Sequence, residues 1–296
     1  MSKVSKSVVV PVVTHKLNGR LSASKKTLII NDADKPASVI NVRELWRYRD
    51  LLYFLIWRDV KVRYKQAAMG AMWAIIQPLG MMLVFAVFFG MFIGIPTDGM
   101  PHTLFFYCGL MPWVFFSTAI SAGSISLINS SNLITKVYFP RVIVPVAAVG
   151  ALFIDLLITC AILLGLGLYY GIVWSAAVLM FPVMLLMTIM LALDLAIWLA
   201  ALTVKYRDIR HALPFVLQLW MFVTPIIYPV SVISGKWRWL MYLNPLTGIV
   251  EGIRSSLTGR SFNWTAIAFS AGITLFTIPL AIKTFQRIEK SFADLI

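Results

Sequence analysis

Charge is scarce in this chain, and acidic charge most of all. Of 296 residues only 13% are charged, with 12 Asp and Glu against 26 Lys and Arg. Soluble domains are about 25% charged and about 45–50% apolar. Here 60% of residues are hydrophobic and the mean hydropathy is +0.85. That excess of apolar surface needs lipid and excludes a soluble globular fold. Cysteine occurs only at Cys108 and Cys160, both inside apolar runs. They read as small buried hydrophobes, and no disulfide is expected. Histidine is isolated at His15, His102 and His211, so no Cys/His cluster has metal-ligand spacing. There is no G-x-x-x-x-G-K-S/T, no H-E-x-x-H and no C-x-x-C, which excludes a nucleotide-cradling P-loop and gives no catalytic site. The opening MSKVSKSVVVPVV has too short an apolar core for a secretory signal.

What the chain does have is a basic aromatic stretch running into a charge-free one, from Arg43 to Leu79. Apolar residues recur at Leu45, Tyr48, Leu52, Leu55 and Ile56, which is helical spacing, among Arg47, Arg58, Lys61, Arg63 and Lys65. A helix of this kind lies in the membrane surface with its cations in the headgroups. The spacing predicts an interface helix over 41–66, behind a polar, basic cytoplasmic tail over 1–40 with a short strand at Thr27–Ile30. Asp32 and Asp34 match the D-x-D of sugar-nucleotide transferases but lie in that tail with no fold around them. Six apolar spans follow, at about 70–95, 103–128, 142–170, 175–204, 212–233 and 264–282. The expected fold is therefore an all-α integral membrane protein with a six-span domain over 67–296. Pro78, Pro112, Pro145, Pro182 and Pro214 read as near span ends, with Pro225 the interior exception.

The net charge of +14 would suggest nucleic acid in a soluble protein. Here the cations report orientation, and no nucleic-acid partner is expected. With the N-terminus in the cytoplasm, inner segments carry 22 Lys and Arg and outer segments four, so the positive-inside rule puts both termini inside. The outer segment at 234–263 contains Trp237, Trp239, Leu240 and Tyr242, with Asn244-Pro245, Gly248 and Gly252 as punctuation. It is too apolar for a free loop and too broken for a span. Two short re-entrant helices lining the outer end of a conduit are expected there.

Asp155 and Asp194 fall inside spans. A charge at the bilayer centre costs about 2.5–3.5 kcal/mol on insertion scales, so each should face protein or water. With no intramembrane Lys, Arg or His to complete a proton relay, hydrogen-bonded helix–helix contacts are the simpler reading. The inner loop 132–141 is short and amphipathic, either a stiff helix for a motor to push or a plain basic turn. Trp73, Phe85, Phe88, Phe89, Trp220, Phe222 and Tyr228 lie within or at the entrances of spans. Each taken singly reads as packing or lipid contact. Together they would suit a path for sugar rings, whose C–H faces stack on aromatics. The N-x-S/T matches at Asn129 and Asn263 carry little weight.

Five blocks carry a family resemblance: Leu55–Gln66 with Met69–Trp73 and Gln77–Leu79; Tyr138–Arg141 with Val144-Pro145; Tyr206–Asp208; Thr224–Pro229; and Asn244–Arg254. In this order and spacing the chain resembles the permease subunit of ABC-2-type exporters for O-antigen, capsular polysaccharide and teichoic acid. The resemblance implies a homodimer around a path for a lipid-linked polymer in the bacterial inner membrane. It also implies a separate ATPase subunit on the cytoplasmic side, where ATP and Mg bind, and no cofactor in this chain. Thr135, Lys136, Tyr138, Phe139 and Arg141, with Arg58 of the interface helix, would contact that ATPase. Asn244, Pro245, Gly248, Glu251 and Arg254 would shape the outer exit. An ABC-2 permease for a small amphiphile such as a drug or lipid is the alternative. A membrane glycosyltransferase would need an acidic site outside the tail, and none is visible.

Overall fold

In lipid a chain must satisfy its backbone hydrogen bonds internally, and for one apolar run that means a helix. The computed structural model describes residues 46–65, 72–172 and 175–289, which form helices and turns with no strand among them. The expected tail, its strand, Asp32, Asp34 and His15 lie outside the described residues.

The interface helix is α1 (Arg49–Lys65). The first span is α2 (Trp73–Phe85), which widens into a π-helical segment over Ala86–Phe92. Gly90 sits where that segment meets His102, whose ring would lie 2.7 Å from an added Cβ. The second span is α3 (His102–Asn129), followed by the short α4 (Ser131–Lys136). The third is broken into α5 (Ile143–Gly150) and α6 (Phe153–Tyr169) by a turn at Ala151 and Leu152. The fourth is α7 (Phe181–Lys205), entered through a 3-10 turn over Ala176–Met180. Next comes α8 (Ile209–Val223), and the outer hairpin is α9 (Lys236–Tyr242) and α10 (Pro245–Thr258). The last span is α11 (Trp264–Glu289).

Five helices among the described residues are long and apolar enough to cross a membrane, and α8 is a shorter apolar helix. The fifth span thus differs from the continuous helix expected over 212–233. Thr224 precedes Pro225, and the ring of a proline pushes its predecessor out of the α region. Thr224 accordingly sits at ψ 138° and ends α8 at Val223. The prolines also sit deeper than expected: Pro78, Pro112 and Pro214 lie inside their helices, as does Pro279 in α11. The sixth span runs on to Glu289.

The main core surrounds α3, with Phe105, Phe106, Tyr107, Phe116, Leu191 and Ile253 all buried. Between apolar helices in lipid, close approach by small residues drives packing. Gly123 of α3 meets Ala196 of α7, whose Cβ would stand 2.5 Å from a Cβ added at Gly123. A second cluster gathers Leu55 of α1, Ile134, Phe139, Ile143 and Phe285. It fastens α1 to the bundle through one face. The opposite face exposes Tyr53, Phe54 and Trp57, with Lys61 lying over the Trp57 ring.

Gly123→Leu is expected to overpack the α3–α7 contact and lower unfolding free energy by about 1–3 kcal/mol, measured by denaturant unfolding in detergent. Gly123→Ala should cost less.

Candidate translocation site

Helix α8 touches the bundle through one edge. Leu213 and Leu217 are buried, whereas Phe215, Val216, Leu219, Phe222 and Val223 are exposed. Against α3 it leaves an open groove of about 400 Å³ lined by Trp113, Ser117, Thr118, Ser121, Leu217 and Gln218. The serines satisfy their own donors along α3: Ser117 Oγ donates to Val114 O at 3.3 Å and Ser121 Oγ to Ser117 O at 2.7 Å. Their lone pairs stay available to a passing hydroxyl. This groove sets a few hydroxyls and one amide in an otherwise apolar lining, with Trp113 buried beneath it. Sequence periodicity missed it, because isolated Ser, Thr and Gln carry no motif.

The aromatic path candidates divide. Trp73, Phe88 and Phe222 are exposed. Phe85 packs edge-on against Phe89 and Phe106. Trp220 meets Phe116 edge-on and donates from Nε1 to Asn244 Oδ1 at 3.1 Å. The Tyr228 hydroxyl donates to Phe222 O at 3.1 Å. Trp220 and Tyr228 therefore tie off the outer end of α8, and the seven do not form one continuous surface.

The outer candidates do come together. Asn244 caps α10 by accepting from Leu246 N at 3.1 Å, and its Nδ2 donates to Thr224 Oγ1 at 2.9 Å. Pro245 occupies the first turn, where its missing N–H costs nothing. Gly248 N donates to Ser270 Oγ at 3.0 Å, with Ala266 O where a Cβ would go. Arg254 is 5% exposed. Its guanidinium donates to Pro225 O at 2.8 Å, Ile226 O at 2.9 Å and Phe105 O at 3.4 Å. It pairs with Glu251 at 3.1 Å and lies 3.6 Å above the Phe105 ring. Nε has no partner. One buried cation thus binds the break after α8, the start of α3 and α10.

A sequence model of the family described as ABC-2 type transporter matches residues 50–258. The chain is 35% identical over 259 residues to the O-antigen export system permease protein RfbA of Myxococcus xanthus, covering 86% of this chain and 98% of that one. It is 26% identical over 250 residues to the protein of the same name from Klebsiella pneumoniae, covering 83% and 95%. It is 24% identical over 247 residues to the polysialic acid transport protein KpsM of Escherichia coli, covering 80% and 93%. The chain belongs to the ABC-2 type transporter family.

On this ABC-2 chain the inner candidates occupy two settings. Thr135, Lys136 and Tyr138 are exposed at the end of α4, with Tyr138 at 82%. Phe139 is buried in the second cluster, and Arg141 donates to Glu289 O at 2.7 Å, so both anchor the loop. Arg58 pairs with Asp59 at 2.9 Å and lines a cavity with Asn129 and Ser130, just before α4. Asp155 is a helix–helix contact, with a partner that span-by-span reading did not supply: Arg63 of α1 at 2.5 Å, together with the Tyr64 hydroxyl. Burial, and then that hydrogen bond, push the Tyr64 phenol up beyond its ordinary range. Asp194 faces Thr277 of α11 and leaves Oδ2 without a partner among the described residues. Among the described residues no three His, Cys, Asp or Glu gather as a metal site.

Arg254→Met should leave the three carbonyls and Glu251 unpaired and cost about 3–5 kcal/mol of stability. Arg254→Lys, whose three donors sit on one compact nitrogen in place of a planar fork, should recover only part of it. Thermal unfolding of the purified protein in detergent measures both.

Proposed function

We propose that this chain is the permease subunit of an ATP-driven exporter of a lipid-linked polysaccharide across the bacterial inner membrane. It rests chiefly on one observation: the match to the O-antigen export permease of Myxococcus xanthus runs over 98% of that protein. The geometry is consistent with it. A glycan is a chain of hydroxyls with apolar ring faces. The groove at Ser117, Ser121 and Gln218 offers acceptors and donors between apolar walls that suit the ring faces. The exposed faces of α2 and α8 are apolar and wide, as required if a second copy completes the conduit. The working unit in this proposal is a homodimer with both termini in the cytoplasm.

ATP and Mg belong to a separate subunit, which docks on the exposed Thr135–Tyr138 tip of α4 and the neighbouring Arg58. Phe139 and Arg141 transmit its push, because they join that tip to the buried cluster and to the end of α11. Thr224, Asn244 and Arg254 carry motion of α8 to the outer hairpin, where Pro245, Gly248 and Glu251 hold its shape.

Deleting the gene should trap polymer inside the cell with synthesis intact, read by comparing surface and intracellular glycan. Complementation with a Lys136→Glu, Tyr138→Ala double variant should insert normally but restore about tenfold less surface polymer, a loss of roughly 1.4 kcal/mol in coupling. Normal surface polymer in the deletion strain would refute the assignment.

A further inference from the structure

The inner face of α1 covers a second cavity. It holds about 390 Å³ and lies between α1, the end of α3 and α5. At about 30 Å³ per water that is room for roughly a dozen waters, so it is a site for a solvated group and not a packing flaw. Its polar lining is Arg58, Asp59, Arg63, Ser126, Asn129 and Ser130, and Val62, Ile125 and Val144 are among its apolar wall. Ser126 Oγ is spent on Gly123 O at 2.7 Å. The Asn129 amide and the Ser130 hydroxyl hydrogen-bond to no other described residue.

The charge balance decides what fits. Arg58 and Asp59 form one ion pair at 2.9 Å. Arg63 already has Asp155 behind it at 2.5 Å. The cavity therefore offers both signs and no surplus of either. A diphosphate would bring net negative charge with no cation free to meet it. A zwitterion would exchange partners at no loss: its phosphate onto Arg58 and the outer edge of Arg63, its ammonium onto Asp59. These side chains are between 29% and 40% exposed, and half-solvated pairs exchange partners readily. A primary ammonium, with three N–H donors, can use the Asp59 carboxylate and the Asn129 amide oxygen together. A quaternary ammonium has no N–H and cannot. Of the other cations of α1, Arg49 lies over Trp46 and Lys61 over Trp57.

We infer that the cavity behind α1 is a binding site for a phosphoethanolamine group, supplied by a zwitterionic membrane phospholipid whose glycerol end rests on the apolar wall. It depends on α1 lying at headgroup depth, as in the orientation proposed above. Seated there, the lipid fills the space between α1 and the α3–α4 turn and holds the interface helix against the bundle.

The test is a lipid titration of the purified full chain in mixed micelles, read as thermal unfolding. It needs no transport, so it can fail while the export assignment stands. Phosphatidylethanolamine should raise the midpoint by about 5 °C. Phosphatidylglycerol and phosphatidylcholine should do markedly less. Asn129→Trp, which fills the cavity, should abolish the preference. Asp59→Asn, which keeps the shape and removes the ammonium partner, should bring ethanolamine and choline lipids level. Equal shifts for the three lipids, a preference for phosphatidylglycerol, or a preference that survives both variants would overturn the site. Free phosphoethanolamine reproducing the full shift would overturn the lipid as the source.

Discussion

The guanidinium of Arg254 settles a problem that the membrane sets. A helix broken inside lipid leaves carbonyls that no water reaches, and each unpaired one costs about 1–3 kcal/mol. Pro225 breaks the fifth span, and Arg254 takes the carbonyls of Pro225 and Ile226 onto one planar group. The same group reaches Phe105 O at the start of α3, and Glu251 offsets its charge. A lysine ammonium is a compact point charge, with no planar fork to span these separated carbonyls while lying on the Phe105 ring. The outer hairpin is therefore fastened to the end of α8 by the very break that shortens α8.

The end that carries α1 and α4 has its own fastening of a different kind. There the ion pairs are half-exposed, between Arg58 and Asp59 and between Arg63 and Asp155, and surface pairs contribute little stability. What holds α1 is the apolar cluster of Leu55, Phe139, Ile143 and Phe285. The outer end is rigid through a buried cation, and the inner end is adaptable through solvated ones.

Much of this was legible in the residues. Hydropathy located the spans, and Asn-Pro with two glycines marked the hairpin of α9 and α10. Thr224-Pro225 held the signal for the short α8, though the surrounding apolar run masked it, since hydropathy does not see backbone dihedrals. The role of Arg254 was out of reach. Its partners are carbonyls of residues 105, 225 and 226, far away in sequence and identical in every residue type. Asp155 looked partnerless when spans were read one at a time, because Arg63 belongs to a helix outside them. The groove at Ser117 and Gln218 arises only where α3 and α8 diverge, which no single segment records.

Hydrogen exchange across the outer hairpin tests the central claim most directly. If Arg254 joins the break after α8 to α10, Arg254→Met should speed exchange over 224–228 and over 245–258 together, while 131–150 keeps its wild-type rate. Faster exchange in α10 alone, with Ile226 to Tyr228 still protected, would contradict it.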